Sequence, residues 1–266
     1  MLERITDGTD PRIAPYRNVD NPAALDRDAL FVAEGRLVVE RLLQDGWFDL
    51  HSIALTPAAL EPLRPLLTQL ARIPVYVCEP AVLRAITGFH FHRGCLALAY
   101  RTPRTMSLAE AATVSRVLAL EAVTNPDNVG GLFRTALAFG VDAVLLDGAT
   151  ADPLYRKAIR TSMAATLRVP FLHADPWIDA LAALRAGGLE RIALTPRPDA
   201  VPLADYVPRA GARLAVIVGS EGSGLSEATL QAADVRVRIP IDPRADSLNV
   251  VTAAAIALNA LSTRFA

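Results

Sequence analysis

The chain has 266 residues, 52% of them hydrophobic and 21% charged, with a formal net charge of −1. Such a composition suits one large or two modest globular domains, and it excludes disordered, collagen-like and coiled-coil chains. No apolar run reaches the roughly 18–20 residues that span a bilayer, the opening Met1-Leu2-Glu3-Arg4 leads into no apolar core, and cytoplasm is the expected compartment.

The basic residues are all arginine except Lys157. Arginine suits bidentate phosphate contacts and stacking on bases, but a genome rich in G and C gives the same bias, and there is no global basic field.

Turn signals at Asp7-Gly8, Asp10-Pro11, Ala14-Pro15 and Asn21-Pro22 predict an extended lead-in over residues 1–24. After Leu30, the apolar positions Val38, Val39, Leu42 and Leu43 recur at helical spacing. His51–Leu55 reads as a strand, a Pro-punctuated helix follows over 57–70, and Val75–Cys78 and Cys95–Tyr100 read as two more strands. The alternation predicts a small α/β domain over residues 25–101. Cys78 and Cys95 sit in apolar runs outside any C-x-x-C pair, which predicts two buried, reduced thiols and neither a zinc site nor a nucleophile. His90-Phe91-His92, before the Gly94 turn, is a basic and aromatic tip suited either to stacking on RNA bases or to ordinary packing. Trp47 and Trp177 read as packing residues.

Residues 102–110 read as a linker, with a helix starting at Ser107. Apolar strands are then predicted at Val117–Val123, Ala143–Leu146, Arg191–Leu194, Leu214–Val218 and Val235–Ile239, with helices between them and a last helix over Leu248–Ser262. This predicts a mainly parallel sheet with helices on both faces over 111–266. Arg156, Lys157 and Arg160 share one helix face, suited to phosphate or simply to solvent.

Ligands of parallel α/β sheets bind beyond the C-terminal strand ends, and three loops there are chemically unusual. The first runs from Thr124 to Arg134, where Asn125 or Asp127 can cap a helix and Asn128 and Arg134 stand six apart. The second, Gly219-Ser220-Glu221-Gly222-Ser223-Gly224, is not a phosphate loop: it lacks Gly-Lys-Ser/Thr, and Glu221 repels polyphosphate. The third runs from Ile239 to Val250 and offers Ser247 or Asn249 to open the last helix. Taken singly, each has an ordinary explanation as a turn or a capped helix.

Taken in order, Asn with Arg, then Gly-Ser-Glu-Gly, then Ser-Leu-Asn resemble the three motifs of the SpoU/TrmH family of RNA ribose 2′-O-methyltransferases, in the SPOUT superfamily. The resemblance implies a C-terminal trefoil-knotted α/β domain that binds S-adenosylmethionine, no metal, an RNA substrate (rRNA or tRNA) and a homodimer. It assigns catalytic positions to Asn128, Arg134, Glu221, Ser247 and Asn249, and cofactor contacts to Thr195, Gly219, Ile239 and Leu248. Residues 25–101, with Ala33-Glu34-Gly35 and Arg93-Gly94, resemble the L30e-like RNA-binding domain of many members, with Arg93 where glutamine is common. In Arg160-Thr161-Ser162-Met163-Ala164-Ala165 alanine stands where relatives often have glycine. The family proposal has Arg134 activate the ribose hydroxyl. An always-protonated guanidinium is a poor base, so orienting that hydroxyl and neutralising developing charge is the better-founded role. The competing class is an RNA-binding protein that keeps the fold without catalysing, and the intact catalytic set argues against it. A nucleotide-binding oxidoreductase or phosphatase fails for want of G-x-G-x-x-G or a P-loop.

Overall fold

The computed structural model describes residues 2–19, 21–70, 72–87, 94–101 and 106–262. His90, Phe91, His92 and Arg93, and residues 102–105 of the expected linker, lie outside them. The chain divides into two compact units, one of Met1–Arg104 with Leu154–Arg168 and the other of Thr105–Pro153 with Val169–Ala266.

The first unit is built on short strands, of which β2 and β5 bury both faces. It runs through β1 (Leu2–Ile5), a 3-10 helical segment (Pro11–Asn18), α1 (Pro22–Arg27), β2 (Leu30–Glu34), α2 (Arg36–Asp45), β3 (Leu50–Leu55), α3 (Pro57–Leu67), β4 (Val75–Cys78), α4 (Pro80–Thr87) and β5 (Cys95–Tyr100). The sheet order is β1-β4-β3-β5-β2; β5 runs antiparallel to both β2 and β3, and the other pairs are parallel. Caps set the helices: Asn21 and Thr56 accept backbone N–H groups at the starts of α1 and α3, each followed by proline at the first helical position.

The expected extended lead-in is instead part of the core. Leu2–Ile5 adds an edge strand parallel to β4, and Ile5, Ile13, Tyr16 and Val19 are buried. The turn signals were real, but they punctuate short ordered pieces whose apolar residues pack non-locally. Cys78 and Cys95 are buried free thiols, and burial pushes them up to about 11 and about 12.

The second unit begins with α5 (Leu108–Ala111), closed by a capping box between Ser107 and Glu110 at the expected start. It continues through β6 (Arg116–Glu121), α6 (Pro126–Ala138) and β7 (Ala143–Leu146), after which α7 (Arg156–Thr161) belongs to the first unit. Then follow β8 (Phe171–His173), α8 (Trp177–Ala186), β9 (Leu189–Leu194), β10 (Val201–Pro202), β11 (Arg213–Gly219), α9 (Glu227–Ala232), β12 (Val235–Arg238) and α10 (Val250–Ser262). All seven strands are parallel, in the order β10-β12-β9-β11-β6-β7-β8. The central strands β6, β7 and β11 are apolar between their ends (Val117–Leu120, Ala143–Leu146 and Leu214–Val218) because helices cover them on both faces. Trp177 packs against this core and donates its indole N–H to Thr229 Oγ1 at 2.9 Å, as a packing residue should.

Four strands are missing from the sequence reading: β1 and β2 in the first unit, and β8 and β10, three and two residues long, in the second. Among the described residues no helix is long and apolar enough to cross a membrane.

Candidate active site

Three adjacent strands end together. Val237 pairs with Leu194 and Ala193 with Ile217. Continuing both registers sets Thr195 level with Arg238 on one side and Gly219 on the other. Gly219 in turn pairs with Glu121. Thr195 and Gly219 therefore sit side by side along the C-terminal edge of the sheet, with Ile239 one residue past Arg238, where ligands of such folds bind. Thr195 is buried and ties into the edge by donating its N–H to the Val237 carbonyl at 3.0 Å. Ile239 and Leu248 are half-buried.

Gly219 is required for a steric reason. A Cβ there would lie 2.4 Å from the Gly224 carbonyl carbon and 2.6 Å from the Leu225 nitrogen, backbone atoms that cannot yield. The loop doubles back on the strand end: Gly224 donates its N–H to the Ser220 carbonyl at 3.1 Å, and Gly224 itself takes φ +67°. Glu221, at the tip, is exposed.

Asn125 caps α6 by accepting the Asp127 N–H at 2.9 Å, with Pro126 at the first helical position. That puts Asn128 in the opening turn, where it is buried. At the other end of the chain Asn249, not Ser247, opens α10: its Oδ1 accepts the Val251 N–H at 2.9 Å and its carbonyl accepts the Ala253 N–H at 3.0 Å. This orients the amide, and its Nδ2 donates to Asn128 Oδ1 at 3.2 Å and to Glu221 Oε1. One side chain thus joins the three motifs.

The structure brings Asn128, Glu221 and Asn249 into contact. Arg134 and Ser247 are exposed and make no hydrogen bond or ion pair among the described residues. Arg134, six positions along α6, is about a third of a turn away from the Asn128 face. Of the three basic residues on α7, Arg156 faces buried Glu34 at 3.7 Å, and Lys157 and Arg160 are exposed. Among the described residues no cluster of His, Cys, Asp and Glu is placed to hold a metal ion.

Sequence reasoning missed Glu121. Its buried carboxylate accepts the Ser226 N–H and the Ser226 and Thr229 hydroxyls at 3.0, 2.6 and 2.9 Å. The available signal was a carboxylate ending the apolar run Val117-Leu118-Ala119-Leu120, since an unpaired charge is rarely left in such a run.

Comparison with known proteins gives a consistent result. The sequence model of the SpoU rRNA methylase family matches residues 115–259. An uncharacterized tRNA/rRNA methyltransferase of Mycobacterium bovis is 38% identical, over 96% of this chain and 90% of its own length. The crystal structure of an RNA 2′-O ribose methyltransferase is 29% identical, with a TM-score of 0.81 over 98% of this chain and 99% of that one. An rRNA methyltransferase of Sinorhizobium meliloti, solved with S-adenosylmethionine bound, shares the fold at 24% identity, with a TM-score of 0.86 over 100% and 99% of the two chains.

Proposed function

The chain belongs to the SpoU rRNA methylase family of RNA methyltransferases, and we propose that it methylates a ribose 2′-hydroxyl of rRNA or tRNA. The carrying observation is the Asn249 amide, which unites Asn128 and Glu221 from loops more than ninety residues apart. The 29% identity to an RNA 2′-O ribose methyltransferase over nearly the whole chain supports the ribose assignment.

The methyl donor of this reading is S-adenosylmethionine, which supplies an electrophilic methyl on a sulfonium. The strand edge suits it chemically: half-buried Ile239 and Leu248 offer apolar surface for a base, and Thr195 and Gly219 offer backbone polar groups. Asn128 and Asn249 hold Glu221 at the mouth of the same edge. Arg134, exposed and uncommitted among the described residues, is free to take an RNA phosphate and the hydroxyl beside it, stabilising charge as that oxygen loses its proton. Ser247, two residues before the cap, completes the ribose contacts. Holding both partners in line supplies much of the acceleration in such a displacement.

The reading extends to the first unit as an L30e-like RNA selector, to a trefoil-threaded second unit, to a homodimer and to a cytoplasmic enzyme.

The test is transfer from tritiated S-adenosylmethionine to total RNA from a strain lacking the protein. A 2′-O-methylated linkage resists alkali, because the attacking hydroxyl is blocked. We expect label in alkali-resistant dinucleotides, and a loss on the order of 10²-fold or more with Arg134→Ala. Label in alkali-labile mononucleotides would move the site to a base. Cofactor binding without transfer to any RNA would favour a non-catalytic binder.

A further inference from the structure

We propose that Glu121 is a positioning residue for the loop that presents Glu221, and through it for cofactor affinity; this rests on the methyltransferase reading above.

The loop Ser220–Leu225 leaves the sheet at Gly219 and returns at Ser226, the N-cap of α9. Both ends are held by the same residue. Through its backbone, Glu121 pairs with Gly219 at the end of the β6–β11 ladder. Through its carboxylate it takes the other end: Oε2 accepts the Ser226 N–H at 3.0 Å, and Oε1 accepts the Ser226 and Thr229 hydroxyls at 2.6 and 2.9 Å. Thr229 is itself held by the Trp177 indole N–H at 2.9 Å.

This is more than helix capping requires, since Ser226 Oγ already accepts the Thr229 N–H at 3.2 Å. A buried carboxylate with three donors is a costly arrangement unless every bond is made, and its effect here is to fix the distance between the two feet of a short loop. With Gly219 against Gly224 and the Ser220–Gly224 backbone bond closing the turn, the loop has little freedom left, so the direction of Glu221 toward Asn249 is set at its base. Among the described residues the Glu121 carboxylate bonds only Ser226 and Thr229, not Asn128, Asn249 or Thr195, so it acts through the loop.

The test compares Glu121→Gln with Glu121→Ala and with Thr229→Val, which removes one donor of three together with the acceptor of the Trp177 indole N–H. Glu121→Gln keeps the size but leaves one acceptor oxygen for two sites, so an amide N–H faces either the Ser226 N–H or the two hydroxyls. We expect a dissociation constant for S-adenosylmethionine, by calorimetry, raised about tenfold or more. Backbone amides of residues 219–226 should exchange faster in the cofactor-free protein, while the melting temperature falls by only a few degrees. Thr229→Val should be intermediate in exchange, and Glu121→Ala at least as severe as Glu121→Gln in affinity. Two results would overturn the proposal: unchanged affinity and unchanged loop exchange in folded Glu121→Gln, or a loss of melting temperature alone. Failure of the unaltered protein to bind S-adenosylmethionine would instead overturn the functional reading, while the exchange comparison would still judge the clamp.

Discussion

Single residues in this chain hold conformations that their side chains do not favour. Ala29 has φ 51°, Met163 φ 53° and Ala164 φ 68°, all in the left-handed region that costs an L-residue roughly 1–2 kcal/mol. Glycine at Ala164 would take this backbone without that strain. Ala164 is fully buried, however, so Ala164→Gly also removes a packed methyl, and the two effects oppose. Ala29 separates them, because it is exposed and joined to its neighbours only through backbone: its N–H donates to the Asp26 carbonyl at 3.0 Å and its carbonyl accepts the Arg101 N–H at 2.8 Å. Ala29→Gly keeps both bonds and relieves the conformational cost, partly offset by the greater freedom of glycine in the unfolded chain. A gain of about 0.5–1 kcal/mol is expected, seen as a rise of about 1–4 °C in thermal melting. A fall would mean that the turn at Asp28–Ala29 tolerates alanine better than its dihedral implies.

At the scale of elements, local signals were legible wherever side chain and backbone act within a few residues. The helix start at Ser107 and the apolar runs of β6, β7 and β11 follow from short-range chemistry. The order of three motifs pointed to the site, yet which atoms meet did not follow from spacing. Asn249 bonds Asn128 across 121 positions, and α10 starts at Val250, two residues later than periodicity alone suggests. Glu121 escaped because its partners lie more than a hundred residues away. The packing of α6 on α10 was equally hidden, and it turns on one small residue. A Cβ on Gly131 would stand 2.7 Å from Val251 Cγ2 and 3.1 Å from Cγ1. Gly131→Ala should therefore cost on the order of 1–3 kcal/mol by overpacking, even though alanine is the better helix former. Val251→Ala in the same chain should recover part of that loss, so that the two changes together cost less than their sum. Additive losses in denaturant melts would show that the helices separate without this contact.

For the molecule as a whole, a linker sought from composition finds a single crossing near residue 102, but the chain changes units again around Pro153–Leu154 and Arg168–Val169. The segment Leu154–Arg168 lies in the middle of the second unit's sequence and is part of the first unit's packing. Three arginines secure it: Arg156 faces Glu34 at 3.7 Å, Arg168 pairs with Asp45 at 2.9 Å, and Arg41 donates to the Met163 carbonyl. Apolar side chains add to this, since α7 packs on β2 and Ala158 and Ile159 are buried. No periodicity within 154–168 reveals this, because the deciding partners lie around residues 34–45. The physical consequence is that residues 1–104 alone are incomplete. Removing the segment strips Glu34 of its facing cation and bares the apolar surface of β2, a loss of several kcal/mol if the carboxylate stays buried and less if water reaches it. A fragment of residues 1–104 should accordingly melt without a sharp transition, or well below the same fragment joined to 154–168 by a flexible Gly-Ser linker. Charge reversal at Glu34 should abolish the rescue, and Arg156→Glu added to it should restore part. Equal melting of the short and extended fragments would instead make Leu154–Arg168 a passenger, and the first unit would then be sufficient in its contiguous sequence.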